Sequence, residues 1–206
     1  MPVKICIVDD HPIVYEGIRK VIQDNGVDVV GCVDSADKIV ETVESLKPDV
    51  LVTEVRLGGH DALKTLEKLE GHECNVVIFS AYENPTNIAR AVALGCHEFI
   101  FKTSPTDALL TAIKSAADGS PTPPGSLLLT TKTRMRRTSQ DESSPLTNRE
   151  TQVLRHVSMG LSNREVGKSL GISVETVKEH MQNILRKLDV NDRTQAAVWA
   201  LKKGMI

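Results

Sequence analysis

The chain has 206 residues, long enough for two ordinary domains, and its 27 acidic and 25 basic side chains give a net charge of −2. It contains no apolar run of the roughly 20 residues that a membrane helix needs, and its N-terminus lacks the pattern of a signal peptide. We therefore expect a cytoplasmic protein without membrane contact. Cys6, Cys32, Cys74 and Cys96 lack the spacing of a zinc site or a disulfide framework, which predicts reduced thiols.

The charge is unevenly distributed along the chain. Residues 1–119 carry 11 basic and 19 acidic side chains, whereas residues 145–206 carry 10 basic and 6 acidic ones. The basic end is the part suited to a phosphate backbone, although a solvated surface tolerates the same charge without nucleic acid.

Five strand patterns alternate with five helix patterns over the first 118 residues. This alternation predicts an α/β domain with a doubly wound, five-stranded parallel sheet, right-handed crossovers and helices on both faces. The predicted strands are Val3–Val8, Val27–Val33, Val50–Val55, Val76–Phe79 and Glu98–Phe101, and the predicted helices are Ile13–Ile22, Ala36–Leu46, Asp61–Leu69, Pro85–Leu94 and Pro105–Ala117.

Polar residues stand where four of these strands end: Asp9 and Asp10, then Glu54, Ser80 and Lys102. Because ligands of parallel sheets bind at the carboxyl ends of the strands, we expect these side chains to converge. Three carboxylates suit a hard divalent cation such as Mg²⁺, and Ser80 and Lys102 suit the oxygens of a phosphoryl group. The alternative is a set of helix caps with a surface salt bridge, since Asp10 and Ser80 could each cap a helix.

Residues 3–118 resemble the receiver domain of two-component response regulators, and we assign this domain to residues 1–118. The resemblance implies the strand order 2-1-3-4-5, a sensor histidine kinase as partner, and a switch formed by Ser80, Lys102 and Phe99, an aromatic residue that reports phosphorylation by turning inward. It rests on Asp9-Asp10-His11-Pro12, Pro48-Asp49-Val50, Ser80-Ala81 and Phe99-Ile100-Phe101-Lys102.

Glu54 stands where this family has the aspartate that accepts the phosphoryl group. Glutamate keeps the charge and adds a methylene, so its carboxylate reaches about an ångström further toward Ser80 and Lys102. Gly58-Gly59 replaces the usual proline and frees the following loop. We therefore expect a pseudo-receiver that needs neither kinase nor phosphoryl donor, in which the longer side chain competes with Mg²⁺ for space. A conventional, phosphorylation-activated regulator is the alternative.

Residues 119–144 are rich in proline, serine and threonine, a composition that predicts a linker rather than a packed domain. Leu127-Leu128-Leu129 could dock onto one of the domains. The basic run 132–137 could contact DNA phosphates, but a solvated tether is the simpler interpretation.

Residues 161–188 predict two short helices around a turn at Gly171. Ser162 and Glu165 form a capping box for the first helix, and Ser173 caps the second, whose apolar residues fall on one face at a spacing of 3.6 residues. This is the geometry of a helix-turn-helix, whose second helix enters the DNA major groove; an αα-hairpin in any small bundle is the alternative.

Flanking segments complete four helices over residues 145–206. Leu146-Thr147-Asn148-Arg149-Glu150 opens the first helix and Asn191-Asp192-Arg193-Thr194-Gln195 the last, so residues 146–197 resemble the DNA-binding domain of LuxR-type (NarL/FixJ) regulators. The resemblance implies double-stranded DNA as partner and a homodimer on it. Gly167 departs from the family, which usually has alanine there, and should weaken its helix by up to about 1 kcal/mol.

Position within this motif predicts the DNA contacts. We expect base contacts from Lys178, Glu179 and Gln182, and phosphate contacts from Thr176 and Arg186.

The last predicted helix, Thr194–Lys202, carries more apolar surface than its own domain needs. Ala197, Val198 and Leu201 are therefore predicted to form the dimer contact, as in related domains.

Two functions of other classes compete with DNA-binding regulation. A Mg²⁺-dependent phosphohydrolase would need a general base beside Glu54, and the sequence positions none, so we expect neither an enzyme nor an organic cofactor. A module that only dimerises through the helix-turn-helix would not need Lys178 and Arg186 on the polar face.

Overall fold

The structure is a computed structural model that describes residues 2–23, 25–69, 71–136 and 145–205. The chain forms two compact units, Met1–Glu83 with Gly95–Leu128, and Asn84–Leu94 with Leu129–Ile206. Within the described ranges, no helix is both long and apolar enough to cross a membrane.

The secondary structure follows the predicted alternation. In chain order the elements are β1 (Val3–Val8), α1 (Pro12–Ile22), β2 (Val27–Val33), a 3₁₀ turn (Ala36–Lys38), α2 (Ile39–Leu46), β3 (Val50–Thr53), β4 (Arg56–Leu57), β5 (His60–Asp61), α3 (Ala62–Leu66), a 3₁₀ turn (Glu67–Leu69), β6 (Asn75–Ser80), α4 (Pro85–Leu94), β7 (Glu98–Phe101), α5 (Thr106–Ala117), α6 (Leu127–Arg136), α7 (Asn148–Ser158), α8 (Asn163–Leu170), α9 (Val174–Leu188) and α10 (Arg193–Lys202).

The first unit contains a parallel sheet in the order β2-β1-β3-β6-β7. Counted over the strands of this sheet alone, the order is 2-1-3-4-5, so the prediction is confirmed. The apolar runs reflect burial on both faces: the side chains of β3, for example, are buried along the whole strand. The predicted Val50–Val55 is two residues too long, because Thr53 is the last residue to pair with β1 and β6.

One difference in detail is an antiparallel ribbon, β4–β5, that follows β3. Gly58 and Gly59 form its turn, with φ of 54° and 84°, conformations that L-residues with a Cβ rarely adopt. The glycine pair, which the sequence indicates as a free loop, is therefore a hairpin turn.

The segment predicted as a linker contains the helix α6. Leu128 and Met135 are buried, while Lys132 and Arg134 are exposed. The preceding stretch is held by hydrogen bonds, since the hydroxyl of Ser126 donates to Glu98 Oε1 at 2.7 Å. Residues 137–144, which include the end of the basic run, lie outside the described residues.

The two units do not follow the predicted domain boundaries in every element. Helix α4, expected in the receiver domain, belongs to the second unit, where Ala89 and Ala93 join the apolar core that contains Val153 and Leu154. Leu129 and the rest of α6 after it also belong to that unit.

The second unit contains the four C-terminal helices, and the caps of the first three are those predicted. Capping boxes join Thr147 with Glu150 and Ser162 with Glu165. Ser173 caps α9, and Gly171 ends α8 with φ of 65°.

Gly167 has a packing role that its helix propensity does not reveal. A Cβ at this position would lie 2.7 Å from the backbone oxygen of Ile172, in the turn between α8 and α9. Glycine lets the turn approach α8 closely, so its cost to the helix is offset by the close contact.

Candidate functional site

The carboxylate of Glu54 is buried and surrounded by donors. Its side chain is 3% exposed, and Oε2 lies 3.0 Å from Lys102 Nζ. Oε1 accepts a hydrogen bond from the Val55 amide at 2.6 Å, and Oε2 accepts one from the Ala81 amide at 3.0 Å. The ends of β3 and β6 thus supply two backbone amides, and the residue after β7 supplies an ammonium, to one anionic group.

Lys102 connects Glu54 with a second buried carboxylate. Its Nζ lies 2.5 Å from Oδ2 of Asp9, whose side chain is 2% exposed. Burial alone would lower the pKa of Lys102, but the hydrogen bonds and negative charges of Asp9 and Glu54 outweigh burial and raise this pKa. The ammonium therefore stays charged at neutral pH.

Asp10 lies beside this group and has separate partners. Its Oδ2 accepts a hydrogen bond from the Gly58 amide at 2.7 Å, which is the main reason why the pKa of Asp10 is lowered. His11 was not predicted to take part, although it belongs to the Asp9-Asp10-His11-Pro12 motif. Its Nδ1 lies 3.2 Å from Asp9 Oδ1 and 2.8 Å from Asp10 Oδ1.

The three predicted carboxylates do not form one metal pocket. Among the described residues, possible ligand atoms of Asp9, Asp10 and His11 lie within 4.8 Å of one another. Asp10 Oδ1 is buried with His11 Nδ1 2.8 Å away, and the carboxylates of Asp9 and Asp10 are the kind of ligand that a hard cation prefers. Glu54 does not fit as a third ligand, because both of its oxygens already face N–H groups.

Ser80 and Phe99, the other predicted switch residues, are both buried. The hydroxyl of Ser80 accepts a hydrogen bond from the Tyr82 amide at 3.1 Å. The ring of Phe99 packs edge to face against Phe101, with ring centroids 5.5 Å apart.

Helix α9 separates an apolar face from a polar face. Val177, Met181 and Ile184 are buried against the other helices of the second unit. The predicted DNA contacts lie on the open side: Lys178, Glu179, Gln182 and Arg186 are exposed, and Thr176 is half-buried.

An ion pair holds α9 against α7. Lys187 Nζ lies 2.7 Å from Oε2 of Glu150, which also accepts a hydrogen bond from the Thr147 amide at 2.7 Å. Burial alone would raise the pKa of Glu150, but these hydrogen bonds outweigh burial and lower it. Sequence reasoning assigned Glu150 a capping role only, because nothing in the local pattern indicates a partner in another helix.

Helix α10 buries one side and exposes apolar side chains on the other. Ala196 and Ala200 are fully buried against the core. Of the three predicted dimer residues, Ala197 is half-buried, whereas Val198 is 43% and Leu201 54% exposed.

Two family models match the chain. Residues 5–114 match the response regulator receiver domain, and residues 144–200 match bacterial regulatory proteins of the luxR family. The chain is a NarL-type two-component response regulator. It therefore belongs with DNA-binding regulators of transcription, and not with enzymes.

Similar proteins extend over the whole of this response regulator. Response regulator protein VraR of Staphylococcus saprophyticus subsp. saprophyticus is 31% identical over 209 residues, covering 100% of both chains. Nitrate/nitrite response regulator protein NarL of Escherichia coli K12 is 30% identical and covers 96% of this chain and 94% of its own.

Solved structures of other response regulators are also similar to this chain over nearly its whole length. A complex of the response regulator RcsB with DNA is 26% identical, covers 98% of both chains and has a TM-score of 0.58. The response regulator ChrA of a heme-sensing two-component system is 28% identical, covers 100% of this chain and 99% of its own, and has a TM-score of 0.52.

Proposed function

We propose that this response regulator binds double-stranded DNA as a homodimer and does so without a phosphoryl donor. The observation that carries the second part is the Glu54 carboxylate, which faces the Val55 amide, the Ala81 amide and the Lys102 ammonium. A sensor histidine kinase is then unnecessary, and the protein acts in the cytoplasm, where its DNA is.

An aspartyl phosphate would otherwise provide negative charge and hydrogen-bond acceptors at this edge of the sheet. A phosphoryl group brings a charge of about −1.5 to −2 and oxygens that accept hydrogen bonds from nearby donors. Glu54 brings one permanent charge, and its oxygens already use the donors at this edge of the sheet. The buried Phe99 agrees with an activated arrangement in the absence of a phosphoryl group.

Acetyl phosphate with Mg²⁺ should therefore leave the wild type unlabelled and its DNA affinity unchanged. Glu54→Asp shortens the side chain, withdraws the carboxylate from the Ala81 amide and Lys102, and should accept the phosphoryl group. The measurements are phosphoryl incorporation by mass spectrometry and affinity for the selected operator. Glu54→Gln keeps the length of the side chain and serves as the unlabelled control.

Stoichiometric labelling of the wild type, or an affinity that rises when donor is added, would contradict the proposal. That result would favour the conventional, phosphorylation-activated regulator, for which Asp9 and Asp10 still provide carboxylates suited to Mg²⁺.

DNA recognition is assigned to the open face of α9. Its long polar side chains are free of the core, and base edges in the major groove are read by such donors and acceptors. Lys178, Glu179 and Gln182 are proposed to read bases, with Thr176 and Arg186 at the phosphates.

Gln182→Ala should weaken binding to the preferred operator by about 1–3 kcal/mol and relax the preference at one base position. The effect arises because the amide can bond an adenine edge with both its donor and its acceptor. Competition titrations against single-base operator variants measure it.

Arg186→Ala is the matched control on the same helix face. It should weaken all sequences to a similar extent and reduce the slope of log affinity against log salt by about 1. If Gln182→Ala behaved in this uniform way instead, Gln182 would not be a base reader.

The homodimer is proposed to form through α10. Val198 and Leu201 are three positions apart, so they lie on one face of the helix. Two copies of this apolar face, related by a twofold axis, would bury each other and place two α9 helices on a pair of half-sites.

Leu201→Asp should abolish cooperative occupation of two half-sites, because a carboxylate at the dimer axis would lose water and face its own copy. Footprinting and analytical centrifugation with the operator provide the measurement. Leu46→Asp changes a leucine that is also exposed, at 38%, but lies in the first unit, and should leave the footprint intact. A wild-type footprint of one half-site at saturation would argue against the dimer.

A further inference from the structure

Five exposed polar side chains of α9 form one stripe along the helix. At about 3.6 residues per turn they fall within about 100° of one another, away from the buried Val177, Met181 and Ile184. The stripe consists of Glu175, Lys178, Glu179, Gln182 and Arg186. The inference drawn from it rests on the proposed function, in which this face of α9 enters the major groove.

The two carboxylates of the stripe differ in their surroundings. Lys178 Nζ lies 3.9 Å from Oε1 of Glu175, and Arg186 donates a hydrogen bond to Oδ1 of Asn183 at 3.0 Å. Among the residues that the structure describes, Glu179 is the carboxylate of this stripe that forms no ion pair. Its negative charge is therefore not compensated within the helix.

An uncompensated carboxylate at this place opposes the binding of DNA in general. Double-stranded DNA carries one negative charge about every 1.7 Å along its axis, and these charges repel Glu179. The carboxylate also loses water when it enters the groove, which is unfavourable unless a hydrogen-bond donor replaces that water. A glutamate in the centre of a DNA-binding face therefore requires a donor on the DNA.

The four bases differ in whether they offer such a donor in the major groove. Guanine presents two acceptors, thymine an acceptor and a methyl group, and adenine an acceptor beside its amino group. Cytosine presents its amino group and no acceptor. Because an ionised carboxylate only accepts hydrogen bonds, cytosine is the base that suits Glu179 best.

We propose that Glu179 selects cytosine at one position of each half-site, and that it acts mainly by penalising the other three bases. Specificity is a difference between affinities, and an unpaired charge facing the wrong partner increases that difference. Gln182 acts in the opposite way, because its amide gains hydrogen bonds to the correct base. Removal of Glu179 should thus relax specificity and at the same time strengthen the binding of DNA that lacks this cytosine.

The test selects operators for the full-length protein from a pool of randomised DNA duplexes. Competition titrations then measure its affinity for the four variants at each position. Wild type should prefer cytosine at one position by at least about fivefold, the lower end of what one base contact discriminates. Glu179→Ala should abolish this preference and bind the other three variants more tightly than wild type does. Glu179→Gln should prefer adenine there, since an amide can both donate to and accept from an adenine edge.

Glu175→Gln is the control with a matched change of charge. It lies four positions earlier on the same stripe, so it should strengthen the binding of all sequences alike and keep the preference for cytosine. If wild type selected an operator but Glu179→Ala kept every base preference, or the preference affected were not for cytosine, this inference alone would be overturned. Equal loss of the preference in Glu175→Gln would also overturn it. If wild type selected no sequence at all, the proposed function would be wrong as well.

Discussion

Lys102→Met is expected to lower the free energy of unfolding of the receiver domain by about 3–5 kcal/mol. The substitution keeps most of the apolar chain but leaves the buried carboxylates of Asp9 and Glu54 without their shared cation. Because the pKa of Lys102 is raised, its stabilising effect is complete below the ordinary lysine value of 10.5 and is lost only as the pH rises through the raised value. Urea unfolding should therefore show that Lys102→Met loses the same free energy of unfolding relative to wild type at every pH between about 6 and 9.

Two further variants separate the ion pair from other effects. Lys114→Met removes an exposed lysine of α5 and should change stability by less than about 0.5 kcal/mol. Adding Glu54→Gln to Lys102→Met removes one of the two unpaired charges and should restore part of the loss. Equal losses for Lys102→Met and Lys114→Met would show that the buried carboxylates do not depend on Lys102.

Lys187→Met should destabilise the helix-turn-helix domain by about 2 kcal/mol near pH 7. Glu150 is only 5% exposed, but Lys187 is 30% exposed, so the loss is smaller than for a fully buried pair. The pKa of Glu150 is lowered in the folded state; its stabilising effect is therefore present above the ordinary value of 4.5 and is lost as the pH falls through the lowered value.

Thermal unfolding of wild type and Lys187→Met from about pH 7 to pH 3 tests the pairing of Lys187 with Glu150. The difference in melting temperature between the two proteins should shrink toward the acid end. Lys178→Met is the matched control, since Lys178 lies on the same helix, is 59% exposed and approaches Glu175 only to 3.9 Å. If the difference in melting temperature between wild type and Lys187→Met stayed constant with pH, Glu150 would be excluded as the partner of Lys187.

Most of the fold can be predicted because local patterns encode it. The observed bounds of β1, β2, α4 and β7 are the predicted ones. The capping residues of α8 and α9 mark the starts of those helices. The ribbon β4–β5 escapes prediction because strands of two residues are too short to show a period. Helix α6 escapes because a polar composition hides two buried side chains, Leu128 and Met135.

The candidate site is predictable in its members but not in its contacts. Ligand groups gather at the carboxyl ends of parallel strands, which predicts that Asp9, Glu54 and Lys102 lie close together. In the structure these three side chains are in contact. The orientation of the Glu54 oxygens depends on the Val55 and Ala81 amides. The direction of a backbone amide cannot be predicted from the pattern of side chains along the sequence. The pairing of Glu150 with Lys187 spans 37 residues and arises only when α7 packs against α9.

The close approach at Gly167 has a consequence for chimeric regulators. The amide of Ile172 donates to the oxygen of Gly167 at 3.0 Å, and α9 begins two residues after this contact. A helix of 15 residues is about 22 Å long, so a small change of angle at the turn moves its far end by several times as much as its beginning. Transplanting α9 alone onto a relative with alanine at this position would therefore re-aim it. An exchange of DNA specificity should carry residues 162–188 as one cassette.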